Sequence, residues 1–174
     1  MTPPFDILPH LDSLRRYARV LVRHDAEADD LVQGALVRAM ERAGTFRPEA
    51  DLRVWLMTVL RHHVIDQRRS RRAAQARDQA WADLTPGFAE PVGEQAARLA
   101  QLRTAFLSLP RDQRESLHLI AIEGLSISET AAILDIPAGT VMSRLGRARA
   151  ALRAFEDGTR RPHLKLVGGR DDPA

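Results

Sequence analysis

Apolar residues recur along this chain at three- and four-residue spacing, the period of an amphipathic helix, and no stretch alternates with the two-residue period of a strand. Leu8, Leu11, Ala18 and Leu21 form one stripe, and Ala28, Leu31, Ala35 and Ala39 form another. Leu52, Trp55, Leu56, Val59 and Leu60 open a third helix that runs toward Arg72. These stripes predict a small three-helix bundle, with Trp55 in its core. The period fades from Asp78, where Pro86, Gly87, Pro91 and Gly93 predict turns, and resumes near Glu94 through Leu99, Leu102 and Phe106.

Punctuation then becomes dense. Pro110 suits the first turn of a helix, where its missing N–H costs nothing. That helix turns Leu117, Ile120 and Ala121 inward and stops at Gly124, a residue suited to a C-terminal cap. Ser126 and Glu129 have the spacing of a capping box, so the next helix starts at once and runs to about Leu134. Asp135-Ile136-Pro137 breaks it, and a last helix opens within Pro137–Thr140, burying Val141, Leu145, Ala148 and Leu152. Two short helices around a tight turn predict a helix-turn-helix. The expected fold is all-α: two small helical domains over residues 1–74 and 97–156, a flexible linker over 75–96 and a disordered tail over 157–174.

Charge sharpens this division. Asp25 to Asp51 is acidic, whereas Arg53 to Arg77 holds seven arginines against the single acid Asp66. Asp78 to Ala96 is acidic again, and arginines return from Thr140 to Arg161. Two basic helical surfaces separated by an acidic strap predict two modules touching one long polyanion. The net charge is only +3, but every basic residue except Lys165 is an arginine, so it persists to high pH. With no cysteine, the chain cannot form disulfides, use a thiol nucleophile or build a cysteine zinc site. Neither a spanning apolar run of about 18 residues nor a secretory leader layout is evident, so a cytoplasmic protein with no membrane insertion is expected.

Catalytic chemistry finds little footing. His62 and His63 are adjacent, about 100° apart on a helix, and cannot share a metal by themselves. No glycine-rich phosphate loop is present, so neither an enzyme nor a cofactor is expected. Nucleic-acid chemistry fits better. Opposite the buried stripe of the last helix stand Thr140, Ser143, Arg144 and Arg147, where a recognition helix faces the major groove and arginine can grip guanine O6 and N7 together. Arg149 and Arg153 suit phosphate contacts; the plain alternative is a helical hairpin with a solvated arginine face. On the third helix, seven-residue spacing aligns Arg61 with Arg68 and His62 with Arg69, a ridge suited to tracking phosphates beside the loop from Phe46 to Asp51. The acidic second helix directs Asp30, Gln33, Arg38 and Glu41 outward, as a partner surface or merely a solvated face.

Ala28-Asp29-Asp30-Leu31-Val32-Gln33, Phe46-Arg47-Pro48, Arg53-Val54-Trp55-Leu56, Leu109-Pro110 and Gly139-Thr140-Val141-Met142-Ser143-Arg144-Leu145, in that order, resemble bacterial sigma factors of the extracytoplasmic-function (ECF) type. The resemblance covers about Leu8 to Phe155, and Val64 to Arg69 is most similar to the alphaproteobacterial branches that include general-stress sigma factors. It implies a non-enzymatic initiation factor that brings core RNA polymerase to promoters for transcription initiation in a stress response. Its first domain, sigma region 2, would melt and read the −10 element, and its second, sigma region 4, would read the −35 element. By position, Asp29, Asp30, Gln33, Arg38 and Glu41 would dock on the polymerase β′ clamp helices, and the second domain would meet the β flap. Arg47, Arg53, Arg61, His62, Asp66, Arg68 and Arg69 would hold the −10 strand; Thr140, Ser143, Arg144, Arg147 and Arg149 would meet the −35 duplex. The acidic linker would follow the RNA exit path. An anti-sigma factor would be the regulator, covering apolar and basic surfaces of both domains.

Three positions depart from the family pattern. Gly34 stands where an acid is usual and as a mid-helix glycine costs about 1 kcal/mol against alanine, so docking there would be locally altered. His62 stands where asparagine is common, and Met142 where a lysine or arginine is frequent. Two rivals make different demands. A sigma mimic that titrates an anti-sigma factor normally carries a receiver domain, for which 174 residues leave no room. A stand-alone helix-turn-helix regulator needs neither the first basic module nor the acidic helix, and no dimerisation heptad is evident.

Overall fold

A computed structural model describes residues 5–22, 25–75 and 94–160. Among the described residues lie seven α-helices: α1 (Leu11–Leu21), α2 (Asp25–Glu41), α3 (Leu52–Gln75), α4 (Glu94–Ser108), α5 (Arg111–Ala121), α6 (Ile127–Leu134) and α7 (Ala138–Arg160). Short 3₁₀ turns at Leu8–His10 and Ala43–Thr45 precede α1 and follow α2. No strand occurs among the described residues, and the all-α class stands. The linker and tail expectations fall largely outside the described residues, although α7 continues past Gly158 to Arg160.

Helices α1, α2 and α3 bury the predicted stripes against one another: Ala28, Leu31, Ala35 and Ala39 from α2 meet Leu56, Val59, Leu60 and Val64 from α3 and Leu14, Tyr17, Ala18 and Leu21 from α1. Leu8 departs from its expected stripe; it lies in the 3₁₀ turn and is 70% exposed. Trp55 is only partly buried, in an edge-on aromatic cluster with Phe5 and Phe46 that closes the end of the bundle beside the Phe46–Asp51 loop. The Asp51 carboxylate accepts the Val54 N–H, an N-cap that starts α3 there.

The helix-turn-helix forms as its punctuation dictates. Pro110 is the residue before α5 rather than its first helical residue. Gly124 has φ +67°, and the Leu125 N–H returns to the Leu119 carbonyl, which closes the end of α5. Ser126 and Glu129 make the reciprocal capping box at the start of α6. Asp135, in the left-handed region at φ 49°, ends α6 and sets the turn into α7. Val141, Leu145 and Ala148 are buried, and Leu152 is half-buried beside them. On α5, Leu117 is buried, but Ile120 is half-buried and Ala121 exposed.

The two modules are not apart. Leu119, Leu125, Ile133 and Leu134 of the second belong to the same core as Leu14, Tyr17 and Leu60 of the first. Helix α5 lies against α1, and α6 lies against α3. Helix α5 is therefore covered on several sides, which explains why Arg114, Glu115, Ser116, Leu117, His118 and Leu119 are all buried in succession. By contrast, α4 leaves Leu99 and Leu102 of its expected stripe 67% and 44% exposed, while Ala105 is deeply buried.

Candidate nucleic-acid interface and the joint between the modules

Helix α7 places Thr140, Ser143, Arg144 and Arg147 opposite Val141, Leu145 and Ala148, as helical period requires. Ser143, Arg147 and Arg149 are exposed, and Thr140 is half-buried. The Arg147 Nη2 donates to Ser143 Oγ at 3.4 Å, and that hydroxyl donates to the Thr140 carbonyl at 3.0 Å. Arg144 is less free: its Nε lies 3.2 Å from Asp112 Oδ2, which leans the guanidinium toward α5.

The α3 ridge divides. His62, Asp66 and Arg69 are exposed, and Arg47 is exposed on the preceding loop. Arg53 is half-buried. Arg68 donates to the Leu21 carbonyl at the end of α1, so one of its N–H groups serves the fold. Arg61 is mostly covered, its Nε 3.5 Å from Glu115 Oε2 of the second module. Asp66 accepts from Arg38 Nη1 at 2.7 Å, and that hydrogen bond holds the Asp66 carboxyl below its ordinary pKa. Arg38, expected to point outward from α2, is instead tied to α3. Asp29, Asp30, Gln33 and Glu41 are exposed on α2, together with the apolar Val37 and Met40 that sequence reasoning did not single out.

Gly34 also has a local reason. A Cβ built there would lie 2.4 Å from Nε2 of His63, which is buried and bonds Gln67 Nε2 at 3.1 Å. The α2–α3 approach at this level has room for a hydrogen only.

A second polar site joins the modules, and sequence reasoning missed it. The Glu123 side chain is fully buried and accepts from Ser13 Oγ, from Arg16 Nε at 2.9 Å and from Arg16 Nη2 at 3.0 Å. His118 stacks on Tyr17 with ring centroids 5.9 Å apart, and its Nε2 lies 3.3 Å from Glu123 Oε1. Burial holds the His118 pKa down to about 4: Arg16 already balances the Glu123 carboxylate, so an imidazolium would add an uncompensated charge. The bonds from Arg16 and Ser13 overcome burial and hold the Glu123 carboxyl below its usual range, whereas burial pushes the Tyr17 hydroxyl well up. A signal was available: Glu115, Leu119 and Glu123 follow one another at four-residue spacing, so two acids share the stripe of a core leucine.

A model of the sigma2 domain of PhyR matches residues 7–61, and one of sigma-70 region 4 matches residues 99–152. The chain is 37% identical over 151 residues to the ECF RNA polymerase sigma factor EcfG of Rhodopseudomonas palustris, covering 86% of this chain and 82% of that one. It is 35% identical over 146 residues to the sigma factor SigM of Mycobacterium tuberculosis, covering 82% and 71%. Among solved structures it is similar to the sigma factor RpoE of Bartonella quintana in complex with the anti-sigma factor NepR, with TM-score 0.74, 32% identity and coverage of 87% and 94%.

Proposed function

Because the chain belongs to the ECF family of RNA polymerase sigma factors and directs core polymerase to promoters, we propose that its two modules divide promoter reading as their surfaces divide charge. Residues 1–74 form the −10 module, 97–156 the −35 module, and 75–96 the connection. The observation that carries this reading is the α7 surface: Ser143, Arg147 and Arg149 are exposed opposite a sealed core stripe. In the −35 groove Arg147 reaches base edges, Thr140 and Ser143 flank it, and Arg149 meets phosphate. Arg144 exchanges Asp112 for DNA or uses that pair to hold its guanidinium in place.

At −10, Arg47, Arg53, His62, Asp66 and Arg69 face the unpaired strand, with Arg61 and Arg68 joining once their present partners release them. Asp29, Asp30, Gln33 and Glu41, with Val37 and Met40 between them, dock on the β′ clamp helices; Arg38 braces that surface from behind. The second module meets the β flap. The factor acts in the cytoplasm, without catalysis of its own. The relative RpoE is solved with an anti-sigma factor, and an anti-sigma factor of this chain would cover exposed apolar positions such as Leu99 and Leu102. The sigma-mimic reading is weaker. The PhyR sigma-like module bound to NepR is 22% identical and shares the fold, whereas EcfG shares 37%.

Run-off transcription with purified core polymerase tests the function: a promoter-dependent product is expected, and its absence on every ECF-type promoter would reject it. Within that assay, Arg147→Ala should cost about 1–3 kcal/mol at the −35 element and relax preference at one base pair. Equal losses on all −35 variants would make Arg147 a phosphate contact.

A further inference from the structure

Arg144 and Arg147 on α7 are held differently. Arg147 is exposed, and its hydrogen bond to Ser143 Oγ at 3.4 Å stays within its own helix. Arg144 is paired across to α5: its Nε lies 3.2 Å from Asp112 Oδ2, and its side chain is only 23% exposed. The other oxygen of that carboxylate, Oδ1, accepts the Gln113 N–H at 3.0 Å, so Asp112 is itself fixed. Among the described residues no hydrogen bond engages Arg144 Nη1 or Nη2.

We propose that Asp112 is a positioning residue that makes Arg144 a reader of base edges rather than a holder of phosphate. This role rests on the −35 reading of α7 and adds to it a residue outside the recognition helix.

Charge decides what Arg144 can recognise. A free guanidinium carries a full positive charge and is drawn to any phosphate. With a carboxylate against Nε, the pair is close to neutral as seen from a duplex. A phosphate brought to the same guanidinium would meet the Asp112 charge as well. A guanine edge has no net charge, and its O6 and N7 need two N–H donors, which Nη1 and Nη2 still offer. The acid thus subtracts what attracts every sequence alike and leaves what tells one base from another.

Placement agrees. Arg144 follows Thr140 by four positions and precedes Arg147 by three, so the three share one surface of α7. A long side chain gives up rotamer freedom when it binds. The pair with Asp112 removes that freedom before DNA arrives, and its two helices are packed together through Leu117, Leu145 and Ala148. Arg147 has no anchor of this kind among the described residues. The plain alternative is that Asp112 only stabilises the first turn of α5, where an acid suits the helix dipole. That role changes the unfolding temperature and nothing at the promoter.

Holoenzyme assembled from core polymerase and the full chain can be bound to promoter duplexes randomised over the −35 element, at several salt concentrations. Asp112→Ala should cut discrimination at one base pair about fivefold and raise affinity for duplexes altered at that pair. It should also steepen the salt dependence by up to one phosphate contact, a slope of about 0.9. Arg144→Ala should lose preference at the same base pair with little change in slope, and Asp112→Ala should then add nothing to it. In the free full chain, the Arg144 Nε–H resonance, assigned by its loss in Arg144→Ala, should be more ordered than that of Arg147. Asp112→Ala should remove that order. A slope that falls by about 0.9 in Arg144→Ala with preference kept would make Arg144 a phosphate contact and overturn the proposal. So would an Asp112→Ala chain that tightens equally on all duplexes, or one that changes only its unfolding temperature. If wild-type holoenzyme selects no −35 sequence, the promoter reading fails and the role of Asp112 falls with it, while the ordered Arg144 resonance still reports the pair.

Discussion

Gly34→Ala is expected to destabilise the protein by about 1–3 kcal/mol, the typical cost of overpacking a filled core. The sign is the reverse of the usual one, since alanine for glycine inside a helix ordinarily gains about 1 kcal/mol. The added methyl would sit 2.4 Å from His63 Nε2 and 2.9 Å from Cε1. The ring cannot swing aside freely, because it is buried and its Nε2 is engaged by Gln67. Burial, with Arg38 nearby, also lowers the His63 pKa, which keeps the ring neutral at pH 7. Urea unfolding of the single variant and of Gly34→Ala/His63→Ala is the check. The pair should lose less than the sum of its single changes, since removing the ring makes room for the methyl. A stabilised single variant would mean that α2 and α3 can part at this level without cost.

Acidification should weaken the joint by up to about 3 kcal/mol between pH 6.5 and pH 4. His118 has a folded pKa of about 4 against an ordinary 6.5. Between those values the unfolded chain binds the proton and the folded chain does not, so stability rises with pH there and is lost as pH falls. Each pKa unit is worth about 1.4 kcal/mol. The groups that face the ring explain why it stays neutral: Tyr17 and Arg16 come from α1, and Glu123 from the turn after α5. Glu123 adds to the loss only below its ordinary value of 4.5, because its folded pKa is depressed and its contribution needs the carboxylate. Thermal unfolding from pH 7 to pH 4 should therefore show a decline beginning near 6.5, shallower in His118→Gln, where the lowered pKa of His63 still contributes. A flat profile down to 4.5, or a slope that His118→Gln leaves unchanged, would remove His118 as a source.

Local structure was largely legible in the sequence because its signals are local. The α2 stripe, the Ser126–Glu129 box and the Val141–Leu145–Ala148 seam depend on spacing and capping within one or two turns, and each formed where the pattern placed it. The exposed side of α7 followed from the buried side. The acids of the joint shared a core stripe, but their partners were not legible, because Ser13 and Glu123 are 110 positions apart and no helical period links them. Leu8 and Leu99 failed as core for a related reason: among the described residues no element lies over them. Gly34 and His63 are legible only together, as two halves of one close helix crossing.

The Arg38–Asp66 pair ties the helix presenting Asp29, Asp30 and Gln33 to the helix presenting His62 and Arg69. On the proposed assignment of polymerase docking to α2 and strand reading to α3, loading and reading would be mechanically geared: a push on the outer face of α2 would be transmitted through one guanidinium to the neighbourhood of His62. A substitution at Arg38 would then alter base preference without touching a base.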